Sequence, residues 1–122
     1  LIVIADYYED ISSSLLKSTK NNLNNFSLKI IRVPGVFEIP VTISKNIKKY
    51  DAFLALGCVI KGETPHFDFI SSASTQAIMY ISVVSKKPIG NGIITCLNMR
   101  QAKARGKKGK EAAKAVISVL SQ

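Results

Sequence analysis

The chain has 122 residues, of which 47% are hydrophobic, with a mean hydropathy of +0.18. That is enough apolar material for one domain over residues 1–122 with a real core, and too much for a disordered chain; no apolar run is long enough to cross a bilayer. The net charge of +9 is local, because residues 100–114 hold seven of the 17 basic residues and one acid, so the patch is read as a polyanion surface, a site for one small phosphate, or a solvated face.

In chain order, LIVIA (1–5) reads as a strand entered part-way, so residues before Leu1 are expected. With no basic leader before the acidic turn at Asp6, no signal peptide is expected and residence is placed in the cytoplasm. Residues 10–22 then read as a helix starting at an acid and a serine cluster, and LKIIRV (28–33) as a second strand. Residues 37–48 read as a helix, with Val36, Ile39, Ile43 and Ile47 on one stripe. DAFLALGCVI (51–60) is almost continuously apolar, as a strand buried on both faces of a parallel sheet should be. Thr64 is the expected N-cap of a helix over 65–84, with Pro65 in its first position. IGNGIIT (89–95) is the fourth strand. The last helical stretch, 97–120, should break at Gly106 and Gly109, with Ala112, Val116 and Leu120 at helical spacing. The order βαβαβαβα predicts a parallel sheet about four strands wide with helices on both faces. Cys58 and Cys96 form no CxxC pair and are expected as small buried hydrophobes in a reducing compartment.

In such a fold ligands bind at the carboxyl ends of the strands. Those ends carry Asp6-Tyr7-Tyr8, Pro34 to Glu38, Lys61 to His66 and Thr95 to Asn98, and the only histidine of the chain is among them. Lys61-Gly62-Glu63-Thr64-Pro65-His66 runs into a helix start. There, free N–H groups and the helix dipole favour an anion, although an ordinary capped helix would look the same. His66 at that position suits general acid–base work. The helix N-terminus lowers an imidazole pKa and a bound phosphate raises it. Glu38 either complements a helix dipole or binds hydroxyls, Tyr7 either packs or stacks on a planar ring, and Arg105 with Lys107, Lys108 and Lys110 could neutralise a phosphate. A phospho-accepting regulator would need an aspartate where Val59-Ile60-Lys61 stands, and a flavin-phosphate loop would not read Asp6-Tyr7-Tyr8-Glu9-Asp10.

Two long motifs, VPGVFEIP (33–40) and ALGCVIKGETPHFD (55–68), resemble those of the 6,7-dimethyl-8-ribityllumazine synthases of riboflavin biosynthesis. PIGNGIIT (88–95), the Asn98-x-x-Gln101-Ala102-x-x-Arg105 pattern and GKKGKEAA (106–113) extend the likeness over nearly the whole chain. The resemblance implies a flavodoxin-like three-layer α/β/α sandwich with a four-stranded parallel sheet. It implies a transferase that joins 5-amino-6-(D-ribitylamino)uracil to 3,4-dihydroxy-2-butanone 4-phosphate, releasing phosphate and water, with no metal or redox cofactor. It also implies pentamer-based homo-oligomers with active sites between subunits, riboflavin synthase as a partner, and neither a nucleic acid nor a membrane. Position by position, Tyr7 matches the aromatic stacked on the pyrimidine, and Val36, Phe37 and Glu38 match the segment that holds ring and ribityl chain. Val59 and Ile60 match the strand end that reads the uracil edge, Glu63 and Thr64 the phosphate turn, and His66 the proton-transfer residue. Arg105 and Lys108 match a phosphate-binding arginine and a lysine near the pyrimidine, both from the neighbouring subunit. This sequence departs from the pattern in three places. Asn91 stands at a ligand-covering position that is often aromatic, Leu97 replaces a common acid, and the segment between Arg105 and Gly106 is shorter than the family pattern. A fold-retaining relative that binds a ribityl ligand without catalysis is the alternative of another class. A nucleic-acid binder would want aromatics interleaved with the lysines, and residues 100–114 have none.

Overall fold

The computed structural model describes all 122 residues. The elements are β1 (Ile2–Ala5), α1 (Glu9–Lys20), β2 (Ile30–Val33), a 3-10 turn (Val36–Glu38), α2 (Ile39–Lys45), β3 (Phe53–Ile60), α3 (His66–Ser85), β4 (Ile89–Cys96), α4 (Met99–Ala104) and α5 (Lys108–Leu120). The four strands form one parallel sheet in the order β2-β1-β3-β4. The strand-end loops at positions 6–8, 34–38 and 61–65 therefore lie at one edge of the sheet, and the strand order reverses direction between β1 and β3.

Alternation along β1 and β3 divides the core into two layers. Ile2, Ile4, Leu54, Leu56 and Cys58 pack with Ile11 and Leu15 of α1 and Ala112, Ala113 and Val116 of α5. Val3, Ala5, Phe53 and Ala55 pack on the other side with Ile39 and Ile43 of α2 and Ile78 of α3. With both faces covered, β3 can be almost wholly apolar, and it is buried from Phe53 to Cys58. The flavodoxin-like three-layer sandwich expected from the sequence is the fold observed. Both cysteines are buried and free, and no helix is long and apolar enough to cross a membrane.

Four details differ from expectation. The second helix is shorter than 37–48: it opens as a 3-10 turn and ends at Lys45. There the Thr42 hydroxyl donates to the Glu38 carbonyl (2.8 Å) and the Asn46 amide to the Thr42 carbonyl (2.8 Å), local bonds that compete with continuing the helix. Thr64 does not cap α3. Pro65 holds the cap position, and the Thr64 hydroxyl accepts a long bond from the His66 N–H (3.4 Å). The break in the last helical stretch spans only Arg105 to Lys107, so Gly109 lies inside α5. Leu120 is 39% exposed, because it is the last residue of α5 and only partly covered there.

Candidate active site

Three strand ends and one helix start enclose a cleft of about 580 Å³. It lies beside the boundary between β1 and β3, where this topology leaves room for a ligand. Tyr7 and Tyr8 enter from the β1–α1 loop, and Gly35, Val36, Phe37 and Glu38 from the turn after β2. The carboxyl end of β3 supplies Cys58, Val59 and Ile60, and α3 supplies His66 and Ile70. The lining is thus mostly apolar, with one carboxylate and one imidazole, the composition of a ligand pocket that orients its ligand with a few placed polar groups.

Each side chain is presented by its local backbone. Tyr7 (74% exposed) and Phe37 (67% exposed) offer bare aromatic faces to the cleft region. Val36 is buried and anchors the turn beneath Phe37. Glu38 takes the N-cap position of α2, where its carboxylate is favoured by the N-terminal end of the helix. His66 opens the 20-residue α3, so it stands at the positive end of that helix's dipole.

The basic residues are elsewhere. Asn91, Thr95, Arg105 and Lys108 line a second, polar cavity of about 690 Å³ along the free edge of β4, together with Thr75 of α3 and Glu111 of α5. Arg105 Nη1 donates to the Thr95 carbonyl (3.0 Å) and touches Cys96 Sγ (3.8 Å). Lys108 is paired with Glu111 across one turn of α5 (2.8 Å). That hydrogen bond and charge hold the Glu111 carboxyl below its ordinary range. The Asn91 side chain accepts from the Ile93 N–H (3.1 Å) and so turns back on its own strand. Glu63 and Thr64 lie on the exposed turn before α3 and line neither cavity. Of the twelve residues singled out in the sequence, seven meet in the first cleft, three in the second cavity, and Glu63 and Thr64 stand on the exposed turn.

Four lining residues, Tyr8, Gly35, Cys58 and Ile70, carried no role in the sequence reading, and two of them bear titratable groups. Tyr8 meets Tyr7 edge-on, with ring centroids 4.9 Å apart and an interplanar angle of 76°. Burial, then the neighbouring Tyr7 and Cys58, push its phenol up. Cys58 forms part of the cleft wall, and burial, followed by the adjacent Cys96 thiol, pushes its own thiol up to about 12. Their only signal in the sequence was adjacency, Tyr8 to Tyr7 and Cys58 to the strand end.

Residues 1–122 match the sequence model of 6,7-dimethyl-8-ribityllumazine synthase in full. The chain belongs to that family. It is 41% identical to a 6,7-dimethyl-8-ribityllumazine synthase of Rhodopseudomonas palustris (strain BisA53) over 134 aligned residues, which cover 98% of this chain and 82% of the relative. A 6,7-dimethyl-8-ribityllumazine synthase of Agrobacterium fabrum is 40% identical, with 98% and 90% of the two chains covered. One from Methylorubrum populi is 41% identical, with 99% and 80% covered. The alignments are longer than the chain, so these relatives carry residues that this family member lacks. Here only Arg105, Gly106 and Lys107 join α4 to α5.

Proposed function

We propose that this family member condenses 5-amino-6-(D-ribitylamino)uracil with 3,4-dihydroxy-2-butanone 4-phosphate to 6,7-dimethyl-8-ribityllumazine, the penultimate step of riboflavin biosynthesis. One observation carries the reading: a free aromatic face, a carboxylate and the chain's only imidazole converge on one open, mostly apolar cleft, at Tyr7, Glu38 and His66. Tyr7 stacks on the pyrimidine. Val36, Phe37 and Glu38 hold the ring edge and ribityl chain, with Glu38 accepting ribityl hydroxyls, and the backbone at Val59 and Ile60 reads the uracil edge.

The second reactant brings the phosphate. Glu63 and Thr64 shape the turn that receives it, at the N-terminal end of α3, where the helix dipole favours an anion. Arg105 of a neighbouring subunit completes the cradle, and Lys108 and Asn91 of that neighbour approach the pyrimidine. The amine attacks the ketone, a Schiff base forms with loss of water, phosphate leaves, and the second nitrogen closes the ring with loss of a second water. His66 moves protons in these steps. Most of the acceleration comes from holding two reactants in register, which contributes up to about 7–11 kcal/mol in ideal cases.

The separation of Arg105 and Lys108 from the cleft within one chain supports a site shared between subunits, and hence a homo-oligomer, which the family resemblance implies is built on pentamers. Exposed Phe69, Met79, Tyr80, Val83 and Val84 on α3 supply apolar surface for such contacts. The family resemblance also supports riboflavin synthase as a partner and residence in the cytoplasm. The basic run on α4 and α5 serves the phosphate, not a polynucleotide, and binding to nucleic acid should accordingly be weak at physiological salt.

The test is direct. Purified protein is mixed with both substrates and lumazine formation followed by absorbance, beside an enzyme-free control, since the reaction proceeds slowly unaided. Acceleration that weakens in Arg105→Ala supports the reading. Properly assembled protein that gives no acceleration while still binding a ribityl ligand would leave a binding protein on the same fold.

A further inference from the structure

We infer that Tyr8 is a positioning residue, whose anchored ring fixes the orientation of Tyr7 in the cleft. The inference rests on the reading of Tyr7 as the platform for the pyrimidine.

Tyr7 is 74% exposed, and its one aromatic partner is Tyr8. The backbone around the pair is held on both sides. Before it, the Asp6 N–H donates to the Val33 carbonyl (3.0 Å), and the Asp6 carboxylate accepts from Arg32 Nη1 (3.0 Å). After it, the Tyr8 carbonyl accepts the opening bond of α1 from the Ser12 N–H (2.9 Å). The Ser12 hydroxyl in turn donates to the buried Ala5 carbonyl (2.6 Å). With the loop fastened this way, the freedom left at Tyr7 is rotation of its own side chain.

Tyr8 limits that rotation. Its ring is half-buried and packs against the core layer that contains Ile11, Cys58 and Cys96, so it cannot swing out with Tyr7. Its edge-to-face contact is the arrangement that aromatic quadrupoles prefer. Burial also keeps the phenol neutral, so the contact does not depend on pH near neutrality. An exposed aromatic without such a neighbour would sample several rotamers and lose that freedom each time a ligand bound. A pre-set ring costs binding less, and it helps ground state and transition state alike. The expected signature is therefore a change in KM with kcat preserved.

Three variants separate the possibilities. Tyr8→Leu keeps apolar bulk under the loop but removes the ring, Tyr8→Phe keeps the ring and loses the hydroxyl, and Tyr7→Leu removes the platform itself. Melting and assembly are checked first, with Tyr8→Met in place of Tyr8→Leu if the latter is unstable. Tyr8→Leu should raise KM for the ribitylaminouracil roughly three- to tenfold. Its kcat should stay within about twofold of the parent, KM for the butanone phosphate should not move, and Tyr8→Phe should restore the parent KM. Quenching of lumazine fluorescence on binding should weaken in Tyr8→Leu and Tyr7→Leu and persist in Tyr8→Phe. If Tyr7→Leu weakens binding while Tyr8→Leu does not, the positioning role is overturned and the cleft reading stands. A Tyr8→Phe variant as impaired as Tyr8→Leu overturns it too, because the hydroxyl would then touch the ligand. If Tyr7→Leu changes nothing, the platform reading fails and the inference falls with it.

Discussion

His66 is the one imidazole in the cleft, and imidazole is a side chain suited to give and take protons as the ring assembles. Replacing it leaves the stacking face, Glu38 and the phosphate turn in place. His66→Ala is therefore expected to lower kcat, within the roughly 10²–10⁴-fold that one acid–base group contributes. The variant should still run faster than the enzyme-free reaction; a correctly assembled variant with no residual acceleration would place far more of the catalysis on this imidazole than positioning allows. Cys58 makes a second residue-scale prediction. Its thiol is pushed from an ordinary value of 9.0 to about 12, by burial first and by Cys96 next. An acid whose folded pKa is raised binds its proton more tightly when folded. Stability from this group is therefore intact below pH 9, falls as pH climbs from 9 toward about 12, and levels off beyond. Urea midpoints of the parent and of Cys58→Ala, compared at about pH 8 and about pH 10.5, should show the larger alkaline loss in the parent. Equal losses would mean that water reaches the thiol. Tyr7, Glu38 and His66 were legible because each stands at the carboxyl end of a strand, which the topology alone marks as a ligand position. Tyr8 shares that strand end but was given no role, and Cys58 was read only as a small buried hydrophobe, because their place in the cleft comes from rotamer and strand face, and the letters Tyr and Cys carry neither.

At the scale of elements, α1 and α5 touch through Gly109. A methyl group there would meet the Leu15 carbonyl and the Thr19 and Ser18 hydroxyls of α1. The same helix pair closes one core layer over Leu15, Ala112 and Val116, and the Ser18 hydroxyl donates to the Gly106 carbonyl just before α5 (2.8 Å). Gly109→Ala gains helix propensity, worth about 1 kcal/mol at most. It must also push the helices apart, and overpacking of this kind costs about 1–3 kcal/mol. The backbone carbonyl of Leu15 cannot rotate away, so a net loss of stability is expected, read as a lower urea midpoint with an unchanged slope. A midpoint equal to the parent's would show that α5 can shift on α1 without loss. This contact explains why one sequence expectation failed. Gly106 and Gly109 look alike as helix breakers, but only Gly106 falls in the break, while Gly109 is glycine for want of space between helices. The strands were easier to read, because continuous apolar runs bounded by loops leave few alternatives. The 3-10 opening and early end of α2 were not, because they depend on hydrogen bonds from Thr42 and Asn46 that compete with the helix.

On the scale of the whole molecule, the two cavities pose a geometric question that one chain does not answer by itself. His66 and Glu38 line the first and Arg105 and Lys108 the second, a division that the spacing of the four residues does not reveal and that only the family resemblance implied, by placing Arg105 and Lys108 on the neighbouring subunit. If a neighbour's Arg105 completes each cleft, a site needs an intact cleft from one chain and an intact basic edge from the next. Such a site can be rebuilt from two damaged chains. Denatured Arg105→Ala and His66→Ala chains, mixed and refolded together, would form oligomers in which some interfaces join an Arg105→Ala chain, with its intact cleft, to a His66→Ala chain, with its intact arginine. Lumazine formation by the mixture should then exceed that of either variant refolded alone, and that gain should be lost when the same two substitutions are placed in one chain. Mixed oligomers that gain nothing over the separate variants would mean that Arg105 serves the cleft of its own chain. Reaching that cleft would require α4 and the Arg105–Lys107 turn to move around the end of β4, breaking the bonds that now hold Arg105 on Thr95 and Cys96.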